Sequence, residues 1–117
     1  MVSLSIEGLF ESAVKIFLFE DNAVNITFSK DGVHIRFPTT RRLAEYLEVP
    51  HYYILPYFAM MEEQELVTRA ERIGILTTNK GTCKIVEVMQ TLHPEESSGI
   101  LGKTIFDEII RITKQQE

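Results

Sequence analysis

Leu43-Ala44-Glu45-Tyr46-Leu47-Glu48-Val49-Pro50-His51-Tyr52-Tyr53-Ile54, continued by Phe58 and by Met61-Glu62-Glu63-Gln64-Glu65-Leu66-Val67-Thr68-Arg69, decides how this 117-residue chain folds. Leu43, Ala44 and Leu47 stand at the three- and four-residue steps of a short amphipathic helix, with Thr39 or Thr40 ahead of them as N-cap. Val49-Pro50 turns the chain. A second helix follows, with Tyr53, Ile54, Phe58, Met61 and Tyr57 on its buried side, and it ends near Glu65-Leu66. The small Ala44 lets the two helices approach closely, and Val49 plugs the turn between them. Pro56 removes one hydrogen bond and presses on the carbonyl four residues back, which predicts a kink or a later start for the second helix.

Outward from this stretch the patterning is equally periodic. Val67 to Arg69 and Ile73 to Leu76 are short apolar runs around Ala70-Glu71-Arg72, which predicts a tight hairpin. A helix over Thr78 to Leu92 presents Ile85, Val86, Met89 and Leu92, and His93-Pro94 ends it. Ser97-Ser98-Gly99 opens a last helix, whose Leu101, Ile105, Phe106, Ile109, Ile110 and Ile112 form a stripe broader than one core contact needs. Ahead of the motif, Ile6, Leu9, Phe10, Ala13, Val14 and Phe17 mark an amphipathic helix from Leu4 to Phe19, ended by the polar Glu20-Asp21-Asn22. Ile26 and Phe28, then Val33, Ile35 and Phe37, alternate with polar residues about Ser29-Lys30-Asp31-Gly32, the mark of a β-hairpin that Pro38 stops. The expected class is mainly α with small β-hairpins (α+β), as one domain over residues 1–117.

The order helix, strand, helix, turn, helix, short hairpin, helix is that of a winged helix-turn-helix. Residues 43–69 resemble the helix-turn-helix of the MarR, ArsR and PadR-type regulators, in which a Leu-Ala pair, a Leu-x-Val turn and a closing Leu-Val-x-Arg recur. The likeness covers about thirty residues and extends loosely through Thr78-Asn79-Lys80-Gly81. Glu48 and Glu65 stand where that family usually has glycine, at a backbone cost if the positions are left-handed. The resemblance implies a dimeric DNA-binding transcriptional regulator whose second helix enters the major groove. The segments 1–19 and 97–117 are then the expected dimerisation helices.

The resemblance carries over to specific residues. On the second helix the outward positions are Pro50, His51, Tyr52, Leu55, Pro56 and Ala59, none of them a residue that reads bases bidentately. Direct readout rests on His51, the Tyr52 hydroxyl and apolar contact with thymine methyls. Backbone contacts are better supplied: Thr39, Thr40, Arg41 and Arg42 open the first helix, where amides and the helix dipole favour phosphate. Arg69 and Arg72 lie on the wing, with Lys80 and Lys84 behind. The competing expectation is a winged helix that binds a protein partner through His51, Tyr52, Leu55, Pro56, Ala59 and Met60, since apolar and aromatic anchors suit such a partner.

Charge and composition narrow the classes. The net charge is −5, unevenly spread: residues 1–35 hold two Lys/Arg against five Asp/Glu, 36–84 seven against six, and 85–117 three against six. Only the middle third, which carries the motif, escapes an acidic balance. Cys83 is the sole cysteine, so no intramolecular disulfide forms, and it reads as an inert small hydrophobe. His34, His51, His93 and Cys83 have no metal-ligand spacing, and no phosphate-binding glycine loop or nucleophile elbow is present, so neither cofactor nor enzyme activity is expected. With no signal segment and no membrane-length apolar run, the expectation is a cytoplasmic protein.

Overall fold

The computed structural model describes residues 4–115. It is mainly helical with two small antiparallel hairpins. Six α-helices, α1 (Ile6–Lys15), α2 (Thr40–Leu47), α3 (His51–Glu63), α4 (Asn79–Leu92), α5 (Pro94–Leu101) and α6 (Lys103–Gln115), frame the strands β1 (Ile26–Ser29), β2 (Gly32–Ile35), β3 (Val67–Ala70) and β4 (Gly74–Thr77).

Helix α1 is capped by Ser5, whose hydroxyl accepts the Gly8 N–H at 3.0 Å. It buries Leu9, Phe10, Ala13 and Val14 completely. The helix then widens into a π-turn over Ile16–Asp21, closed by Asn22 at φ 52°. This departs from the predicted Leu4–Phe19 span. Ile16, Phe17 and Leu18 are all buried in succession, more of the circumference than a regular α-helical stripe covers, and the wider turn accommodates them. Leu9, Phe10, Ala13 and Val14 of α1 are therefore core of the chain itself. Residues 1–3 and 116–117, the ends of the two segments expected to dimerise, lie outside the described residues.

In the first hairpin Ile26 pairs with Ile35 and Phe28 with Val33, as the alternation predicts, about a tip of Lys30 and Asp31. Val33 and Ile35 face the core, whereas Phe28, on the outer strand near the tip, is left exposed. In the second, Val67 pairs with Thr77 and Ala70 with Gly74, around a Glu71-Arg72-Ile73 loop with Arg72 at φ 70°. The two sheets are joined: Arg36 forms a bridge with Leu76, and the Phe37 N–H donates to the Ile75 carbonyl at 2.8 Å.

A buried hydroxyl relay fastens this junction to α4. The Ile35 N–H donates to Thr77 Oγ1 at 2.8 Å, the Thr77 and Thr82 hydroxyls lie 2.6 Å apart, and Thr82 Oγ1 donates to the Val33 carbonyl at 2.6 Å. Every polar atom of this relay is satisfied when Thr77 donates to Thr82. Both threonines are fully buried. Thr77→Val keeps the shape but orphans the Ile35 N–H and takes the donor from Thr82, so a loss of about 2 kcal/mol is expected in urea unfolding. A change below about 0.5 kcal/mol would mean that the relay is not formed.

Helix α4 is capped by Thr78, whose hydroxyl accepts the Gly81 N–H at 3.1 Å, and it supplies Ile85, Val86, Val88 and Met89 to the core. The predicted single last helix is two helices. His93-Pro94 does end α4, but Pro94 then occupies the first turn of α5, a position that needs no N–H donor. Helix α5 stops at Gly102, φ 85°, and α6 begins one residue later. It buries Phe106, Ile109 and Thr113 and leaves Ile105 exposed.

Candidate nucleic-acid interface

Helices α2 and α3 are positioned by three local devices. Thr39 caps α2, its hydroxyl accepting the Arg42 N–H at 3.0 Å. The end of α2 is closed by Glu48 at φ 57°, with the Val49 N–H returning to the Ala44 carbonyl at 3.0 Å. The Thr40 hydroxyl and His51 Nε2 lie 2.6 Å apart, tying the start of α2 to the start of α3. His51, expected to face outward, is thereby half-buried and engaged within the fold.

Glu48 and Glu65, at φ 57° and 61°, both adopt the left-handed backbone for which glycine is suited. Both side chains are exposed, so the substituent contributes strain and little packing. Glu48→Gly and Glu65→Gly should each raise stability by about 0.5 kcal/mol, relief of roughly 1 kcal/mol of strain being partly offset by the freer unfolded glycine. A lower urea midpoint in both variants would show that the carboxylates matter more than the backbone.

Helix α3 starts at His51 and runs through Pro56 without interruption, which settles the choice between a kinked and a late-starting helix against the late start. The missing donor faces the Tyr52 carbonyl in the first turn, and both residues are exposed, so water can take its place. Ile54, Phe58 and Met61 are fully buried, as their spacing predicts. Tyr53 is not on the buried side: it is 49% exposed and packs edge-on against Tyr52 at a ring separation of 4.8 Å. One residue of helix rotates a side chain by about 100°, so with Ile54 centred on the core its neighbour is turned to the flank. Tyr57 is half-buried, its hydroxyl donating to the Leu4 carbonyl at 3.2 Å. The outward surface of α3 is thus Tyr52, Tyr53, Leu55, Pro56, Ala59 and Met60, with no charge before Glu62.

The cations divide into engaged and available. Arg42 donates to Asp21 at 2.6 Å and to Glu20 at 3.2 Å, and these bonds hold its guanidinium pKa above the ordinary value. A phosphate at the start of α2 would compete with two carboxylates. Arg69 pairs with Glu62 at 2.8 Å. Lys80 donates to the Gln64 carbonyl at 3.2 Å, and Lys84 pairs with Glu7 on α1. Arg41 and Arg72 are exposed, and neither has a carboxylate within 4 Å among the described residues.

Two features escape a reading of the motif alone. Arg36 is exposed at the end of the first hairpin and is carried beside the second hairpin by its bridge to Leu76, a contact across forty residues. Its only sequence signal is the outward phase of the strand alternation. The Glu20-Asp21 pair reads as a polar break, yet it closes onto Arg42. Among the described residues no group of His, Cys, Asp and Glu could hold a metal ion, and no helix is long and apolar enough to cross a membrane. Compared with known proteins, the chain matches no family model and no curated protein.

Proposed function

We propose that this chain is a winged helix-turn-helix DNA-binding regulator of the MarR/ArsR/PadR kind, acting as a dimer and by binding rather than catalysis. The observation that carries the reading is the pair of arginines without a carboxylate partner among the described residues, Arg41 and Arg72, on the elements preceding and following helix α3. The bridge from Arg36, just after β2, to Leu76 of β4 supports the winged arrangement by seating the second hairpin beside the first. Phosphate contacts would come from Arg41 and Arg72, assisted by Thr39, Thr40, Arg42 and Arg69. Tyr52 and Leu55 would meet the groove, with a Tyr hydroxyl and apolar contact as their means of discrimination. Binding is therefore dominated by the DNA backbone and steeply salt-dependent. The dimer contact would fall on segments 1–19 and 97–117, where Phe19 and Ile105 are 55% and 45% exposed.

A second reading is favoured by one observation. Tyr52, Tyr53, Leu55 and Met60 are between 41% and 65% exposed and form an uncharged face that suits a protein partner. Fluorescence anisotropy with a labelled random-sequence duplex at low salt separates the two. Saturable binding at micromolar protein is expected, and no binding there refutes the DNA reading in favour of the second.

A further inference from the structure

Arg36, Arg69 and Arg72 come from two segments more than thirty residues apart and line one open cleft of about 480 Å³, completed by Ala70, Ile73, Gly74 and Ile75. A single carboxylate answers these three guanidinium groups, Glu62, and it is bound to Arg69. Arg36 and Arg72 have no acidic partner within 4 Å among the described residues. Arg36 reaches across Gly74: its guanidinium lies 3.9 Å from where a side chain at Gly74 would begin, and Gly74 has φ +112°, which disfavours any other residue. Strand register separates the arginines by face. Arg36 is opposite Leu76 and so shares the side of Ala70 and Gly74, whereas Arg69 is opposite Ile75 on the other side.

We infer that Arg36 and Arg72 form a phosphate clamp over Gly74, with Arg69 at its rim held by Glu62. A cleft lined by two guanidinium groups without carboxylate partners among the described residues suits a tetrahedral oxyanion, each guanidinium offering a fork of donors to two of its oxygens. The inference rests on the DNA reading for its ligand, one phosphate of the duplex backbone. It adds a residue, Arg36, that lies outside the motif altogether.

The test uses the full chain with ¹⁵N-labelled arginine, following Nε–Hε resonances during titration with inorganic pyrophosphate and, separately, with a random-sequence duplex. In pyrophosphate, Arg36 and Arg72 are expected to shift saturably with one common midpoint, while Arg41, exposed but outside the cleft, does not respond in that range. Arg36→Gln should raise the Arg72 midpoint at least fivefold. Arg72→Gln, at a loop tip, should do the same to Arg36, and it keeps the test available if the first variant folds poorly. Equal response of Arg41, or independent midpoints for Arg36 and Arg72, overturns the clamp. Pyrophosphate binding without any duplex response upholds the cleft and sinks the DNA reading; duplex binding with both cleft resonances silent does the reverse.

Discussion

Gly81→Ala is expected to destabilise the protein by about 3 kcal/mol, a large part of the 5–15 kcal/mol that holds an ordinary domain together. Gly81 sits in the first turn of α4, buried against the Leu66 backbone between α3 and β3. A Cβ there would overlap the Leu66 carbonyl oxygen and come within 3.0 Å of the Leu66 carbonyl carbon and 3.1 Å of Thr77 Cβ. The obstacle is backbone, so no rotamer relieves it. Helix α4 would have to lift away, breaking the bond from the Thr78 N–H to the Leu66 carbonyl, 3.1 Å, and disturbing the Thr77–Thr82 relay. The gain of roughly 1 kcal/mol in helix propensity from glycine to alanine offsets only part of this cost. Thermal unfolding should show a fall of roughly 10 °C, at a few degrees per kcal/mol for a domain of this size. Gly99→Ala is the internal control, since nothing lies within 4 Å of a Cβ at that position of α5. The same chemical change should there raise stability by about 0.5 kcal/mol or more. If both variants unfold at the wild-type temperature, α4 does not approach Leu66 as closely as described.

The second large effect concerns binding. Arg41→Ala combined with Arg72→Ala should weaken affinity for random duplex DNA by tenfold or more at low salt. The slope of log affinity against log salt should become shallower by about 1.8, at roughly 0.9 per phosphate contact removed. Neither side chain is packed or paired within the described residues, so the far-ultraviolet circular dichroism should stay unchanged. Arg42→Ala provides the contrast. Its guanidinium is already bound to Asp21 and Glu20, so removing it takes away little free positive potential and should alter the slope less than either arginine of the double variant. An unchanged slope in the double variant removes the proposed backbone contacts.

Much of this architecture was legible because it is local. Leu43 and Ala44, then Ile54, Phe58 and Met61, repeat at helical spacing, and each is buried where that spacing places it. Alternation about Ser29-Lys30-Asp31-Gly32 foretold the first hairpin, whose register matches the apolar phase, and the apolar runs about Ala70-Glu71-Arg72 foretold the second, whose loop falls one residue later, at Glu71-Arg72-Ile73. Glu48 and Glu65 occupy the left-handed turns at which the resemblance implies glycine. Where the local pattern fits two placements, tertiary packing selects between them. Tyr53 has the composition of a core residue, but only the rotation of α3 against α2 determines that it lies outside. The stripe from Leu101 to Ile112 looks continuous, yet Gly102 at φ 85° divides it.

The candidate interface divides along the same line. Periodicity and turn chemistry by themselves determined the two helices, the hairpin behind them and the outward phase of Tyr52 and Leu55, because those depend on neighbours within a few residues. Only the tertiary structure decided which cations are available. Arg42 is drawn to Glu20 and Asp21 across some twenty residues, His51 is held by Thr40, and Arg36 is delivered to the second hairpin by a bridge forty residues away. The electrostatic potential at a point sums charges close in space, and sequence separation sets no such distance.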